Sequence, residues 1–316
     1  MKLPYYPGCS GQGSSVEYER STRAVCAALG ITLEELPDWS CCGSTPAHAF
    51  DHVLSSALGA RNLSIAAARG AERVATPCPS CLANLKAARA RMENEEFRGK
   101  VNALLDAPCP EKLPDAVSVL QVLVEDFGTD AIAAKVTKTL AGVKIAPYYG
   151  CLMSRPSDLM RFDDPENPMA LDNLMSALGA EVVPYPLKTE CCGAAMGIPR
   201  RDITARLTGR LLETARALGA DAVVVACPLC HMNLDLRQEQ AAKAAGTTFN
   251  MPVLYYTQFM GLALGLSSEE LGLDKLCVSP AGLLQKIQNA RAAAEAKAAS
   301  EAAKAKQAAK AEEVSA

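Results

Sequence analysis

The chain has 316 residues, of which 49% are hydrophobic and 21% are charged, a composition typical of folded globular proteins rather than disordered ones. Its formal net charge of −3 argues against electrostatic binding to nucleic acid, and it contains no run of apolar residues long enough to span a membrane. No apolar leader follows Met1, so we expect a cytoplasmic protein whose 13 cysteines serve metal or redox chemistry instead of structural disulfides.

Short apolar runs and helical stretches alternate along the first part of the chain. Strands are predicted at Lys2–Pro7, Ile31–Leu36 and Arg73–Thr76. Helices are predicted from Ser14 to Leu29, at Phe50–Gly70 and at Cys81–Met92. This alternation favours an α/β fold with a mostly parallel sheet.

The same order returns in the second part of the chain. Strands are predicted at Val143–Tyr149, Ala180–Pro184 and Ala222–Val225, and helices at Met169–Leu178 and Ile203–Leu218. A further strand running into a short helix is predicted in both parts, at 117–123 and 253–260. We therefore expect two duplicated α/β domains, 1–140 and 141–285, related by a pseudo-two-fold axis. An Ala/Lys/Glu-rich tail, helical or disordered, is predicted at 286–316.

Ten of the cysteines form two copies of one pattern. Each copy has a single cysteine, then a Cys-Cys-Gly triplet, then a Cys-Pro-x-Cys segment. The first copy comprises Cys9, Cys41, Cys42, Cys78 and Cys81. The second comprises Cys151, Cys191, Cys192, Cys227 and Cys230. The large offset between the copies indicates duplication of a whole domain, since solenoid repeats have periods of about 20–50 residues. Cys26, Cys109 and Cys277 lie outside the pattern and are interpreted as free thiols.

The predicted strands explain how distant cysteines can meet. In open α/β sheets, ligand sites lie beyond the C-terminal ends of the strands. In both copies, the single cysteine and the Cys-Pro-x-Cys segment directly follow a predicted strand, and the Cys-Cys-Gly triplet lies on a loop after another strand. We expect each set of five to converge at one edge of its sheet.

The donor set favours iron–sulfur chemistry over a single metal ion. Structural zinc takes four tetrahedral ligands, and two adjacent cysteines suit one ion poorly because their side chains diverge. Iron–sulfur clusters are held by thiolates, and an ordinary cubane uses four. Five thiolates leave two alternatives: one cysteine of each set is a spare redox thiol, or the cluster has unusual ligation.

The doubled pattern resembles the cysteine-rich CCG domain family, and within it the chains similar to the HdrB subunit of heterodisulfide reductase (HdrB-like). The resemblance covers residues 1–285 and includes every cysteine of both motifs. It implies that each set of five binds a noncubane [4Fe-4S] cluster and that the two clusters face one substrate cavity. Beyond the clusters, it assigns no side chain a catalytic role.

The resemblance also implies a function. The chain would be the catalytic iron–sulfur subunit of a heterodisulfide reductase-like complex, an oxidoreductase acting on a sulfur group. It would reduce a disulfide of the CoM-S-S-CoB type, or another thiol or protein disulfide, in two one-electron steps. Because the chain has no ferredoxin-type cysteine run, electrons would come from partner subunits, an HdrC-like ferredoxin-type iron–sulfur subunit and an HdrA-like flavin subunit. The alternative is an electron-transfer subunit of a quinone- or dehydrogenase-linked complex that reduces no disulfide.

Three polar residues near the cysteines are candidates for supporting roles. His231 directly follows Cys230 and is a candidate for a hydrogen bond to cluster sulfur or for contact with substrate. Asn84 and Asn233 each stand three residues after the last cysteine of their set. We expect their amides to cap or orient the Cys-Pro-x-Cys turns.

Overall fold

The chain folds into two four-stranded sheets in which every strand pair is parallel. A computed structural model describes residues 1–44, 46–293 and 296. The first sheet has the order β2-β1-β3-β4, and the second has the matching order β6-β5-β7-β8. The strands are β1 Lys2–Tyr5, β2 Thr32–Glu35, β3 Arg73–Thr76, β4 Asp115–Ser118, β5 Lys144–Tyr148, β6 Glu181–Val182, β7 Ala222–Val225 and β8 Val253–Tyr255. The duplicated, parallel α/β architecture predicted from the sequence is confirmed.

Helices cover these sheets and connect their strands. The α-helices are α1 Val16–Leu29, α2 Pro46–Phe50, α3 His52–Ala68, α4 Pro79–Arg91, α5 Glu95–Asn102, α6 Val119–Gln121, α7 Thr129–Ala133, α8 Ser157–Met160, α9 Ala170–Ala177, α10 Arg201–Ala217, α11 Pro228–Leu236, α12 Gln238–Ala245 and α13 Tyr256–Leu264. Short 3₁₀ segments lie at Cys9–Gln12, Ala194–Met196 and Leu273–Lys275, and a π-helical segment lies at Val122–Gly128. Parallel strands need such crossover connections, which bury both faces of the sheet.

The central strands show this burial directly. All four residues of β7, Ala-Val-Val-Val, are buried, as expected for a strand covered on both faces. Strands β3 and β4 pair so that Thr76 lies opposite Ser118, and β7 and β8 pair so that Val225 lies opposite Tyr255. These last pairs mark the C-terminal edge of each sheet, and the Cys-Pro-x-Cys segments follow there, after β3 and β7.

Each half contributes buried side chains to the core of the other half. Helix α1 of the first half packs against α13 of the second, and Tyr18 and Val25 of α1 lie in the hydrophobic core around the second sheet. In return, helix α8 of the second half packs against α4, and Met160 lies in the core of the first half. This reciprocal packing brings the C-terminal edges of the two sheets to a common interface.

The predicted tail is only partly within the described chain. Residues 294, 295 and 297–316 lie outside the described residues, whereas 281–293 are helical. Ile287 is 2% exposed and packs in the core, and Lys286 forms an ion pair with Asp221 at 2.6 Å. Arg291 donates hydrogen bonds to the carbonyls of Lys138 and Thr139. The start of the tail therefore packs against the second half and against the segment that joins the two halves.

Candidate functional site

The cysteines of the first set meet at the C-terminal edge of the first sheet. Cys9 and Cys78 follow β1 and β3, and Cys81 lies in the first turn of α4. The Sγ atoms of Cys41 and Cys9 are 3.7 Å apart, and those of Cys42 and Cys81 are 3.5 Å apart. These separations are far longer than the S–S bond of about 2.05 Å, and all 13 cysteines of the chain are free thiols.

The second set repeats this arrangement at the edge of the second sheet. Cys151 and Cys227 follow β5 and β7, and Cys230 lies in the first turn of α11. The Sγ atoms of Cys192 and Cys230 are 3.5 Å apart, as in the matching pair of the first set. In both sets the structure thus brings together cysteines separated by more than 30 residues.

A glycine before the first cysteine of each set makes room for the last one. Gly8 and Gly150 have φ values of +74° and +72°, which favour glycine. A Cβ atom on Gly8 would lie 2.9 Å from Cys81 Sγ, and one on Gly150 would lie 2.9 Å from Cys230 Sγ. The backbone therefore approaches the thiols more closely than a side chain permits.

A buried tyrosine holds the Cys-Cys-Gly loop in each half. The Tyr6 hydroxyl donates to the Ser40 carbonyl at 2.8 Å, and the Tyr148 hydroxyl donates to the Glu190 carbonyl at 2.7 Å. Ser40 and Glu190 each immediately precede a cysteine pair. Burial and the nearby thiols raise the pKa of both tyrosines, so each hydroxyl stays a donor. The repeated Tyr-x-Gly-Cys sequence is the signal by which these tyrosines could have been found.

Backbone amides in the Cys-Cys-Gly loops point at sulfur. The amide of Gly43 donates to Cys41 Sγ at 3.4 Å, and that of Gly193 donates to Cys191 Sγ at 3.3 Å. In the first set, the Ser44 amide also donates to Cys42 Sγ at 3.4 Å. Hydrogen bonds to a thiolate stabilise its charged form. The loops therefore suit anionic sulfur ligands.

The two candidate asparagines reach across from the helix after each Cys-Pro-x-Cys segment. Asn84 Nδ2 donates to the Cys42 carbonyl, and Asn233 Nδ2 donates to the Cys192 carbonyl at 3.1 Å. Asn233 Nδ2 also lies 3.5 Å from Cys192 Sγ. The two amides therefore join each Cys-Cys-Gly loop to the helix that contains the last cysteine of the same set, α4 in the first half and α11 in the second.

The thiols differ in acidity within each set. A hydrogen bond from Cys151 lowers the pKa of Cys191 to about 6. Hydrogen bonds with neighbouring thiols likewise lower the pKa of Cys42 and Cys192. The hydrogen bonds that Cys230 shares with Cys192 and Cys227 raise the pKa of Cys230. In the absence of a metal, each set thus mixes thiolates with thiols.

His231 lies in a buried aromatic stack behind the second set. Its ring packs on Tyr255 with centroids 4.3 Å apart, and its Nε2 lies 3.0 Å from the Val253 carbonyl oxygen. Its Nδ1 is 3.9 Å from Glu17 of helix α1. Burial lowers the pKa of His231, which favours the neutral ring. A role toward cluster sulfur or substrate stays a prediction.

A cavity of about 430 Å³ opens between the two halves. All five cysteines of the second set line it, with mostly apolar neighbours such as Leu152, Leu159 and Leu229. The opposite wall comes from the first half and includes Pro79 and Ser80, the two residues between Cys78 and Cys81. The first set therefore reaches the cavity through its Cys-Pro-x-Cys turn rather than through a cysteine side chain.

Arg91 of helix α4 contributes a cationic group to the cavity wall. Its guanidinium donates to Ser56 Oγ at 3.3 Å. Across the described chain, no carboxylate oxygen lies within 4.0 Å of this guanidinium. Arg91 is therefore available to bind an anionic group.

The three remaining cysteines lie apart from this arrangement. Cys26 is buried in helix α1, where burial raises its pKa to about 12. Cys109 is buried in the core of the first half, and Cys277 is exposed. In the part of the chain that the structure describes, no three His, Cys, Asp or Glu side chains form a single-ion site.

Comparison with known proteins agrees with the duplicated geometry. The family model of the cysteine-rich CCG domain matches residues 3–86 and, a second time, residues 145–235. The chain belongs to the cysteine-rich CCG domain family. Each match to this CCG chain runs from the first strand of one half past the last cysteine of its five-cysteine set.

Relatives of this CCG chain are similar over most of their length. It is 34% identical to the 8-methylmenaquinol:fumarate reductase membrane anchor subunit of Wolinella succinogenes, covering 86% of this chain and 95% of the relative. It is 30% identical to the HdrB subunit of the ferredoxin:CoB-CoM heterodisulfide reductase of Methanosarcina mazei, covering 92% and 98%. It is 32% identical to an HdrB-like heterodisulfide reductase protein of Archaeoglobus profundus, covering 89% and 95%.

The fold of the CCG chain also occurs in a solved structure. A hypothetical protein from Helicobacter pylori superposes with a TM-score of 0.70 at 15% identity, covering 88% of this chain. The chain spans 52% of the length of that protein. Within the described residues, no helix has the length and apolar character needed to cross a membrane.

Proposed function

We propose that this chain is the disulfide-reducing iron–sulfur subunit of a heterodisulfide reductase-like complex. The observation that carries the proposal is the cavity between the halves, whose wall contains an entire five-cysteine set. Two relatives, one named as an HdrB subunit of heterodisulfide reductase and one as a protein like it, support the same assignment. The chain would thus be an oxidoreductase that acts on a sulfur group.

The residues present fit iron–sulfur ligation. We assign one [4Fe-4S] cluster of noncubane type to each set of five cysteines, giving two clusters per chain. The first site uses Cys9, Cys41, Cys42, Cys78 and Cys81, and the second uses Cys151, Cys191, Cys192, Cys227 and Cys230. Free thiols, backbone donors to sulfur and a glycine in close approach to each last cysteine support this fit.

The protein's own residues would bind and orient the disulfide. The apolar wall of the cavity accommodates the carbon chain next to sulfur and limits access of water. Arg91 would hold an anionic group of the substrate, which fixes the direction in which the S–S bond approaches the second set. When bound, the clusters would supply single electrons to a bond whose cleavage requires two.

Electrons would reach this chain from other polypeptides in the cytoplasm. The proposed donors are an HdrC-like ferredoxin-type iron–sulfur subunit and an HdrA-like flavin subunit. Cys9 and Cys41 of the first set are exposed, so the first half offers a surface at which electrons could be transferred from such a partner.

A second candidate is an electron-transfer subunit that reduces no disulfide. The relative from Wolinella succinogenes favours it, because its name places it in a methylmenaquinol:fumarate reductase. In such a complex the chain would pass electrons between a quinol-linked partner and a dehydrogenase or reductase.

An assay of the assembled complex separates the two candidates. Purified complex is supplied with reduced electron donor and a panel of small-molecule and protein disulfides, and thiol formation is measured. We expect at least one disulfide to be reduced at a rate that depends on this subunit. Electron transfer to a quinone or fumarate without thiol formation from any disulfide would support the carrier function instead.

A further inference from the structure

One buried hydroxyl group contacts the Cys-Pro-x-Cys turns of both halves. Tyr18 Oη lies 3.0 Å from the Pro77 carbonyl oxygen and 3.0 Å from the Ala226 carbonyl oxygen. Pro77 and Ala226 immediately precede Cys78 and Cys227, at the ends of β3 and β7. The two carbonyl oxygens therefore lie within two hydrogen-bond lengths of each other and share one donor.

The Tyr18 ring is fixed by its surroundings. It is 1% exposed and stacks on Tyr255, with ring centroids 3.9 Å apart and an interplanar angle of 3°. Tyr256 packs against its edge at 6.0 Å, and His231 stacks on the far face of Tyr255. The hydroxyl therefore has little freedom to leave the two carbonyls.

In the described part of the chain, this contact comes from the first half. Helix α1 precedes β2 as the shorter helix α9 precedes β6, and α9 contains no tyrosine. Tyr18 thus connects the two turns through a contact that the second half does not repeat.

We propose that Tyr18 is a positioning residue that ties the two cysteine sites together and sets the distance between them. Its consequence for catalysis rests on the proposed function, because two one-electron steps on one S–S bond require two sites at a fixed short separation. The hydroxyl acts through the backbone of the two turns and contacts no proposed cysteine ligand in its hydrogen bonds.

The first test uses the cluster-free full-length chain and backbone hydrogen exchange. Tyr18→Phe keeps the ring and its stacking but removes the shared donor. We expect amide exchange to accelerate about 2- to 10-fold in both turns, 78–81 and 227–230, which corresponds to the loss of one buried hydrogen bond. The matched control is Tyr185→Phe, since Tyr185 is also buried and its hydroxyl donates to a single carbonyl, that of Leu211, within one half.

The control is expected to leave exchange in both turns unchanged while lowering the melting temperature by a similar amount. Faster exchange in only one turn, in neither turn, or equally in both variants would overturn the proposal. This measurement needs no cluster and no substrate, so it tests the connection even if the chain proves to be an electron carrier.

The second test uses the iron–sulfur-loaded chain and electron paramagnetic resonance. We expect Tyr18→Phe to retain its iron but to show a changed magnetic interaction between the two reduced sites, whereas Tyr185→Phe matches the wild type. Identical spectra for Tyr18→Phe and the wild type would contradict the proposed control of site separation. Failure of the disulfide assay alone would reject the proposed function and leave this result standing.

Discussion

The two halves have the same cysteine framework but different surroundings. Each half has a tyrosine that holds the Cys-Cys-Gly loop, a glycine that admits the last cysteine, and an asparagine that joins loop and helix. Yet the cavity between the halves is lined by the cysteines of the second set, whereas Cys9 and Cys41 of the first set are exposed elsewhere. Duplication has thus produced two similar cysteine sets with different access.

The difference arises at positions outside the two cysteine sets. Directly after the last cysteine of each set, the first half carries Leu82 and the second half carries His231. In the second half, Tyr255 pairs with Val225 at the end of β7, whereas in the first half Ser118 pairs with Thr76 at the end of β3. The buried aromatic stack therefore lies behind only one of the two sets.

The largest expected effects come from removing one cysteine of either set. Cys81→Ala and Cys230→Ala should each lower the iron content of the loaded chain to about half, because each removes a ligand of one cluster only. Iron and sulfide analysis measures this, with the buried non-motif cysteine changed in Cys26→Ala as control. Loss of all iron in either variant would show that the sites are not independent.

The close approach of backbone and sulfur predicts the next largest effect. Gly8→Ala and Gly150→Ala should lower the free energy of unfolding by about 1–3 kcal/mol and impair iron binding. The substituted residue would have to adopt an unfavourable positive φ, and its added Cβ would also clash with a cysteine Sγ. Gly219→Ala is the matched control: its φ is +71°, but its Cβ would have no neighbour within 4 Å. Equal losses of stability and iron in all three variants would show that the sulfur contact is unimportant.

Changing the cavity wall should affect substrate binding without removing a ligand. Arg91→Ala should raise the KM for a disulfide that carries a carboxylate, sulfonate or phosphate about 10-fold, as expected for a lost charge-assisted hydrogen bond. Iron content should stay unchanged, and so should the KM in the control Arg206→Ala, whose side chain is exposed on the second half. An unchanged KM for anionic disulfides in Arg91→Ala would exclude this role.

The smallest effect distinguishes the exposed thiols of the two Cys-Cys-Gly loops. Cys191 has a pKa of about 6, whereas a hydrogen bond with Cys42 raises the pKa of Cys41. At pH 7, cluster-free Cys191 is mostly thiolate and Cys41 mostly thiol, so iodoacetamide should label Cys191 at least about 10-fold faster. The ratio should fall as the pH drops below about 6 and Cys191 takes up a proton. Mass spectrometry of labelled peptides measures both rates, and equal rates at pH 7 would contradict the predicted difference.

Much of the fold could be predicted from local patterns. The predicted strands Arg73–Thr76 and Ala222–Val225 agree with β3 and β7 residue for residue, because short buried runs ending at Cys or Pro have clear limits. The predicted strand Ile31–Leu36 shortens to Thr32–Glu35 in the structure. Edge strands pair on one side only, so their ends are less well defined by sequence.

The relation between the halves could not be predicted in the same way. The repeat identified which cysteines belong together, but spacing alone does not show that Tyr18 contacts both turns or that Met160 lies in the core of the other half. Nor does it show that Arg91 and the second cysteine set share a cavity wall. These features depend on long-range packing between residues that are far apart in sequence.

The most direct test is the electron paramagnetic resonance spectrum of the oxidised, iron–sulfur-loaded chain titrated with disulfides. If the cavity binds a disulfide beside the second set, at least one anionic disulfide should change the spectrum in a saturable way, and Arg91→Ala should require more of it. A spectrum that no disulfide changes, in a chain that carries both clusters, would contradict disulfide reduction at this site and favour the electron-carrier function.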